Sequence, residues 1–156
     1  MKKLVILLLI ITTNLYSQKK VLDHKDFDIW NRIQNSQISS DGNYIMYSIQ
    51  RGEEDSFLKI KDKNANLIFE HDRGERGVFS YDSKYAVFTI KEWNDSITEM
   101  KRRKVKKDKM PKDTLGIFNL QDKSLIKLSY IKSYKSPEKW SGFIAYTYDF
   151  IKKNKK

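Results

Sequence analysis

Ile38-Ser39-Ser40-Asp41-Gly42-Asn43-Tyr44-Ile45-Met46-Tyr47-Ser48 returns at an offset of 41, position by position in chemical kind, as Phe79-Ser80-Tyr81-Asp82-Ser83-Lys84-Tyr85-Ala86-Val87-Phe88-Thr89. Each copy opens on an apolar residue and Ser, bends at Asp-Gly or Asp-Ser, and enters a strand ending in an aromatic residue followed by Ser or Thr. The bend has a physical cause. An Asp carboxylate accepts hydrogen bonds from the backbone just ahead of it, and Gly or a small polar residue accepts the turn. Asp41, Gly42, Asp82 and Ser83 are therefore read as structural turn residues. The run Tyr44–Ile49 is largely apolar, which suits a strand covered on both faces.

Working outward, a hairpin follows each copy. Phe57-Leu58-Lys59-Ile60-Lys61 leads through a polar turn into Leu67-Ile68-Phe69, and Leu115–Leu120 leads through Gln121-Asp122-Lys123-Ser124 into Leu125–Leu128. From Tyr47 the hairpin begins at an offset of 10, but from Phe88 at 27, an excess of 17. A third strand ending in aromatic-Thr, Phe143–Thr147, follows the second at an offset of 58, again 17 more than the repeat of 41. One insertion, placed at 92–113, accounts for every offset. Within it, Ser96-Ile97-Thr98-Glu99 reads as a capping box that starts a helix, and Pro111 is expected to stop it. A second short helix is expected near 26–33, with Phe27, Trp30 and Ile33 on one side.

The chain has 156 residues and a formal charge of +11, from 31 Lys and Arg against 20 Asp and Glu. Three short segments hold the excess: Lys2-Lys3, the run 101–112 and the tail 151–156. Without their 14 bases and one acid, 17 bases face 19 acids. The body is close to neutral. With no Cys and two His, a disulfide scaffold, a thiol nucleophile, a Cys-ligated zinc and a multi-histidine metal centre are excluded, and no cofactor is expected. The basic run lacks the interleaved aromatic residues that stack on bases, so no nucleic-acid partner is expected. Its Lys101, Arg102, Arg103, Lys104, Lys106 and Lys107 are candidate contacts for an acidic partner, set against the plainer reading of a solvated loop.

Met1-Lys2-Lys3, the apolar run Leu4–Ile11 and the polar flank ending at Ser17 form the pattern of a secretory signal peptide, residues 1–17. The run is too short for a stable membrane span. An exported protein, periplasmic or secreted, is expected. The remaining organisation is an N-terminal segment with a short helix at 18–34, strand units at about 35–75 and 76–135, the start of a third at 136–150, and a basic tail at 151–156.

Repeats of about 40 residues built of short antiparallel strands have the period of a β-propeller blade. The phrase Ser39-Ser40-Asp41-Gly42-Asn43-Tyr44-Ile45-Met46-Tyr47-Ser48 resembles the propeller repeat of prolyl oligopeptidase-family serine peptidases, although Ser40 stands where that family usually has Pro. The order of other features resembles secreted members too: Leu22-Asp23-His24 with Ile29-Trp30, then Ala86–Lys91, the Lys/Arg-rich insert, and Met110–Ile117. The similarity runs from about Lys20 to Asp149. It implies a mainly β fold, two to three blades of an incomplete propeller with a basic helical insertion.

The resemblance further implies a propeller that admits short peptides to a Ser-Asp-His site on a separate C-terminal α/β-hydrolase domain. This chain has no Gly-x-Ser-x-Gly elbow, so no catalytic residue is carried over and the chain alone is not expected to hydrolyse peptides. It reads as the N-terminal portion of a larger peptidase, with that hydrolase domain as the missing partner. The competing expectation is a stand-alone exported β-sheet module whose basic insert recruits an acidic partner. Glu53-Glu54 resembles the acidic pair with which aminopeptidase-like members hold a substrate amino group, but its place between strands beside Gly52 is that of an exposed hairpin tip. His71 reads as a polar loop residue, and Trp30, Trp93 and Trp140 as packing residues between blades.

Overall fold

The computed structural model describes residues 21–27, 30–52 and 54–149. The expected signal peptide, Glu53 and the basic tail 151–156 lie outside the described residues. The chain is mainly β, in two antiparallel sheets. A four-residue helix, α1 (His24–Phe27), precedes the first sheet, which runs in simple order through β1 (Asn31–Ile38), β2 (Tyr44–Arg51), β3 (Phe57–Asp62) and β4 (Leu67–Asp72). The second sheet is β5 (Gly74–Phe79), β6 (Tyr85–Ile90), β7 (Asp113–Asn119), β8 (Leu125–Lys135) and β9 (Ala145–Tyr148), with helix α2 (Asn94–Arg102) and a 3-10 turn at Lys107–Lys109 between β6 and β7.

Each meander starts with a strand that the repeat phrase does not contain. β1 and β5 precede the Ser-x-Asp turns, so Ile33 belongs to a strand and not to the helix expected over 26–33, of which the described part is His24–Phe27. Both opening strands carry a bulge at equivalent places, between Gln34 and Gln37 and between Glu75 and Val78. Asn35 (φ 50°) and Arg76 (φ 53°) adopt the left-handed conformation there, spaced as the sequence repeat is spaced. Gly42 (71°) and Ser83 (55°) repeat that offset at the turns. The sequence repeat is therefore a repeat of backbone geometry.

The crossing from one unit to the next also recurs. Arg73 (φ 63°) separates β4 from β5, and Tyr130 (φ 62°) bends β8. Leu125–Leu128 of β8 pairs with β7, whereas Ser133–Lys135 pairs with β9. Gly52 donates its N–H to the Trp30 carbonyl (3.3 Å), Lys91 to that of Arg73 (3.0 Å), and Asp149 to that of Tyr130 (2.7 Å). The same hydrogen bond thus closes the opening hairpin of all three units. The third unit does not stand as a sheet of its own: its strand, at 145–148, continues the second sheet as an edge because β8 runs unbroken from one unit into the next.

Alternation along the strands puts one apolar set between the sheets. Met46, Leu58 and Ile60 of the first sheet meet Phe79, Ala86, Phe88, Ile90, Phe118 and Leu120. Phe69 stacks on Phe118 at 4.0 Å between ring centres and leans on Phe88 at 5.7 Å. Burying each of these large side chains favours folding by about 1.5–3 kcal/mol. The intervening residues Val87, Leu115 and Ile131 form a smaller cluster on the opposite face of the second sheet, half covered by Tyr134 and Ile144. The two faces of β2 differ. Met46 and Ser48 are buried, but Ile45 on the other face is exposed, so the first sheet is dry on one side only.

Candidate functional site

The meander topology gives the sheets two ends. One holds the turns after β1, β3, β5 and β7. The other holds the links from β2 to β3 and β6 to β7, together with the crossing at Arg73. The turn residues read from the sequence all lie at the first end. Ser39, nearly buried, donates its hydroxyl to Asp41 Oδ1 (2.6 Å) and accepts the Tyr44 N–H (2.9 Å). Ser80 does the same with Asp82 (2.6 Å) and Tyr85 (3.0 Å).

The Ser39 hydroxyl, aided by Asn43, pulls the Asp41 carboxyl down to about 2, and the Ser80 hydroxyl holds Asp82 low in the same way. The turns also meet each other: the Asp41 N–H donates to Ser83 Oγ at 3.1 Å, and the Phe79 N–H to Gln37 Oε1 at 2.9 Å. These carboxylates are engaged in building their own turns, while the Asp41 N–H and the Gln37 side chain pin the two sheets together.

The basic insert leaves from the other end. α2 begins at Asn94 with Trp93 at its cap position and no side-chain cap. The expected capping box is not formed, since Ser96 lies inside the first turn and Glu99 instead accepts from Arg103 Nε at 2.8 Å. Nor does Pro111 end the helix. It stops at Arg102 because Lys104 turns left-handed (φ 54°), its N–H reaching the Lys101 carbonyl and the Val105 N–H that of Met100, both at 3.0 Å. This is a Schellman ending without glycine. Lys101, Arg102, Arg103, Lys104, Lys106 and Lys107 are all exposed.

Around the root of the insert, the structure gathers charges that sequence spacing does not reveal. Arg73 donates from Nη1 to the Lys91 carbonyl (3.0 Å), approaches Glu92 (3.8 Å) and lies 4.2 Å from the Trp93 ring centre. Lys91 pairs with Asp113 (2.6 Å), and Asp55 accepts the Asn94 N–H (2.9 Å). Buried Ser56 donates to the Gly74 carbonyl (3.3 Å) or Glu75 (3.1 Å). Glu54, Asp55, Glu75, Glu92 and Asp113 thereby face one polar cleft of about 340 Å³. They come from the link after β2, from β5, from the link after β6 and from the start of β7, so no local motif announces them. Glu54 itself sits 3.8 Å from Arg51 at the end of β2.

The remaining candidates resolve into packing or surface. His71 lies between Phe69 (6.2 Å) and Phe88 (5.7 Å), and burial lowers its pKa. It is a half-buried wall of the core, not a loop residue. Trp30, Trp93 and Trp140 are exposed, contrary to the packing role expected of them; phenylalanines fill the space between the sheets. Among the described residues no helix is long and apolar enough to cross a membrane.

Neither a family model nor a curated relative matches the sequence. A solved structure is similar in fold: the acylaminoacyl peptidase of Pyrococcus horikoshii in its orthorhombic crystal form, with a TM-score of 0.52 and 11% sequence identity. The similarity covers 76% of this chain and 18% of that one. At that identity it is a likeness of fold.

Proposed function

We propose that this chain is the propeller portion of an exported serine peptidase of the prolyl oligopeptidase type, itself without the hydrolytic site, and that it screens peptides on their way to a hydrolase domain. The observation that carries the reading is the recurrence of one wedge. Two meanders share bulge, turn, crossing and backbone conformation, and pack face to face on a single apolar layer. A ring of such wedges needs roughly four to eight of them. The fold likeness to an acylaminoacyl peptidase, of which the match covers 18%, supports the same reading.

The substrate class proposed is short peptides, and the partner is an α/β-hydrolase domain. Antibody raised against this chain, applied to extracts of the native cells, tests this. The reading expects a polypeptide well above 18.6 kDa that a fluorophosphonate serine-hydrolase probe labels. A single unlabelled band at or below 18.6 kDa would refute it.

A further inference from the structure

We infer that the insert is a docking arm for an anionic lipid surface, an interaction that does not depend on the peptidase reading. Lys101, Arg102, Lys104, Lys106, Lys107 and Lys109 are all exposed, and no ion pair neutralises any of them among the described residues. Within the arm Glu99 is engaged by Arg103, which leaves Asp95 in the first turn of the helix and Asp108 among the bases as its remaining acids. Such a concentration of like charge raises the free energy of the folded chain through self-repulsion, and an opposing negative surface relieves it.

The arm is held, not loose. Asn94 is bonded to Asp55 where the arm leaves the sheet, and Lys112 pairs with Asp149 (2.9 Å) where it returns. Between these anchors the helix and the 3-10 turn give the bases fixed places.

Two features favour a bilayer over an acidic protein. Five of the six bases are lysines, point charges without the planar fork that makes arginine the residue for paired carboxylate recognition. The bases are also displayed along the arm and line none of the clefts described among these residues, which suits a diffuse negative potential. Met100, Val105 and Met110 interleave with them and are only half buried, offering apolar contact at a headgroup boundary.

The test uses the full chain and its variant Lys101→Gln/Lys104→Gln/Lys106→Gln/Lys107→Gln, checked for an unchanged melting temperature. Each is sedimented with phosphatidylcholine vesicles and with phosphatidylcholine–phosphatidylglycerol vesicles over a salt series. Each base near an anionic bilayer strengthens binding by about fivefold, so the variant should bind the mixed vesicles at least ~100-fold more weakly. Binding of the unaltered chain should also fall steeply with salt. The apolar run Leu4–Ile11 and the basic segments Lys2-Lys3 and 151–156 are the same in chain and variant, so the difference between the two proteins on the mixed vesicles isolates the arm. Equal binding by chain and variant, or none by the chain, overturns the inference. So does capture by soluble polyglutamate as strong as by the mixed vesicles, which would assign the arm to an acidic protein.

Discussion

Ser39 and Ser80 each place one hydroxyl where two turn groups need it. The oxygen takes the N–H of the following Tyr while its proton goes to the Asp two residues on. Ser39→Ala strands a Tyr44 N–H at a nearly buried site, a loss of about 1–3 kcal/mol measurable as a lower urea midpoint. Asp41 has its carboxyl depressed from the ordinary 3.8 to about 2, so its contribution to stability is full above 3.8 and is lost as pH falls through 2. In Asp41→Asn, part of the acid decline in melting temperature between pH 4 and 2 should be absent. Gly116 is constrained by proximity instead: a Cβ there would stand 2.7 Å from the Phe88 ring. Gly116→Ala should destabilise by about 1–3 kcal/mol through overpacking, read by the same titration. An unchanged midpoint would show that Phe88 does not cover that strand.

At the scale of elements, the Ser-x-Asp turns and the strands after them are legible in the sequence because each carries its own chemistry, a turn-forming carboxylate followed by apolar residues bound for burial. β1 is not legible. Asn31-Arg32-Ile33-Gln34-Asn35-Ser36-Gln37 forms an exposed edge strand, so no alternation is imposed on it, and its bulge breaks the period that remains. β5 hides behind Gly74, Gly77 and two charges, and its bulge breaks the period in the same way. The helical insert can be read from the offset between strands, but its caps cannot, because backbone geometry at Lys104 stops the helix. The acidic cleft escapes a reading of the sequence because its carboxylates meet only after both sheets are stacked.

The register makes a prediction about the insert. Ile90 pairs with Thr114 just as Ile49 pairs with Phe57, so the arm leaves and re-enters at neighbouring points. Replacing 91–113 with the shorter link 50–56 should leave the melting temperature nearly unchanged, because surface loop length costs little. A collapse of cooperative melting would show that the arm is part of the core.

For the whole molecule, the two free faces differ. Pairing sets Lys59 opposite Tyr47 and Lys61 opposite Ile45, whereas Gly116 faces Phe88 and Phe118 faces Ala86. Lysines thus occupy, on the outer side of the first sheet, the positions that receive a neighbouring sheet on the second, and Lys59 is held by Glu70 at 3.2 Å. Among the described residues that side is uncovered, with Ile45 exposed on it. β9, at the other extreme, carries no charge and leaves one edge unpaired, so further sheet adds most readily there. Lys59→Gly/Lys61→Phe should make the first sheet receptive, and sedimentation velocity should show association setting in at a lower concentration than for the unaltered chain.

Nuclear Overhauser contacts in the folded chain test most directly whether the sheets are neighbouring wedges of an unclosed stack. The account predicts contacts from the Met46 side chain to the Gly77 Hα and between the Phe69 and Phe118 rings, with no backbone cross-strand contacts linking β9 to β1. Backbone contacts joining β9 to β1, closing the strands into one barrel, would contradict it.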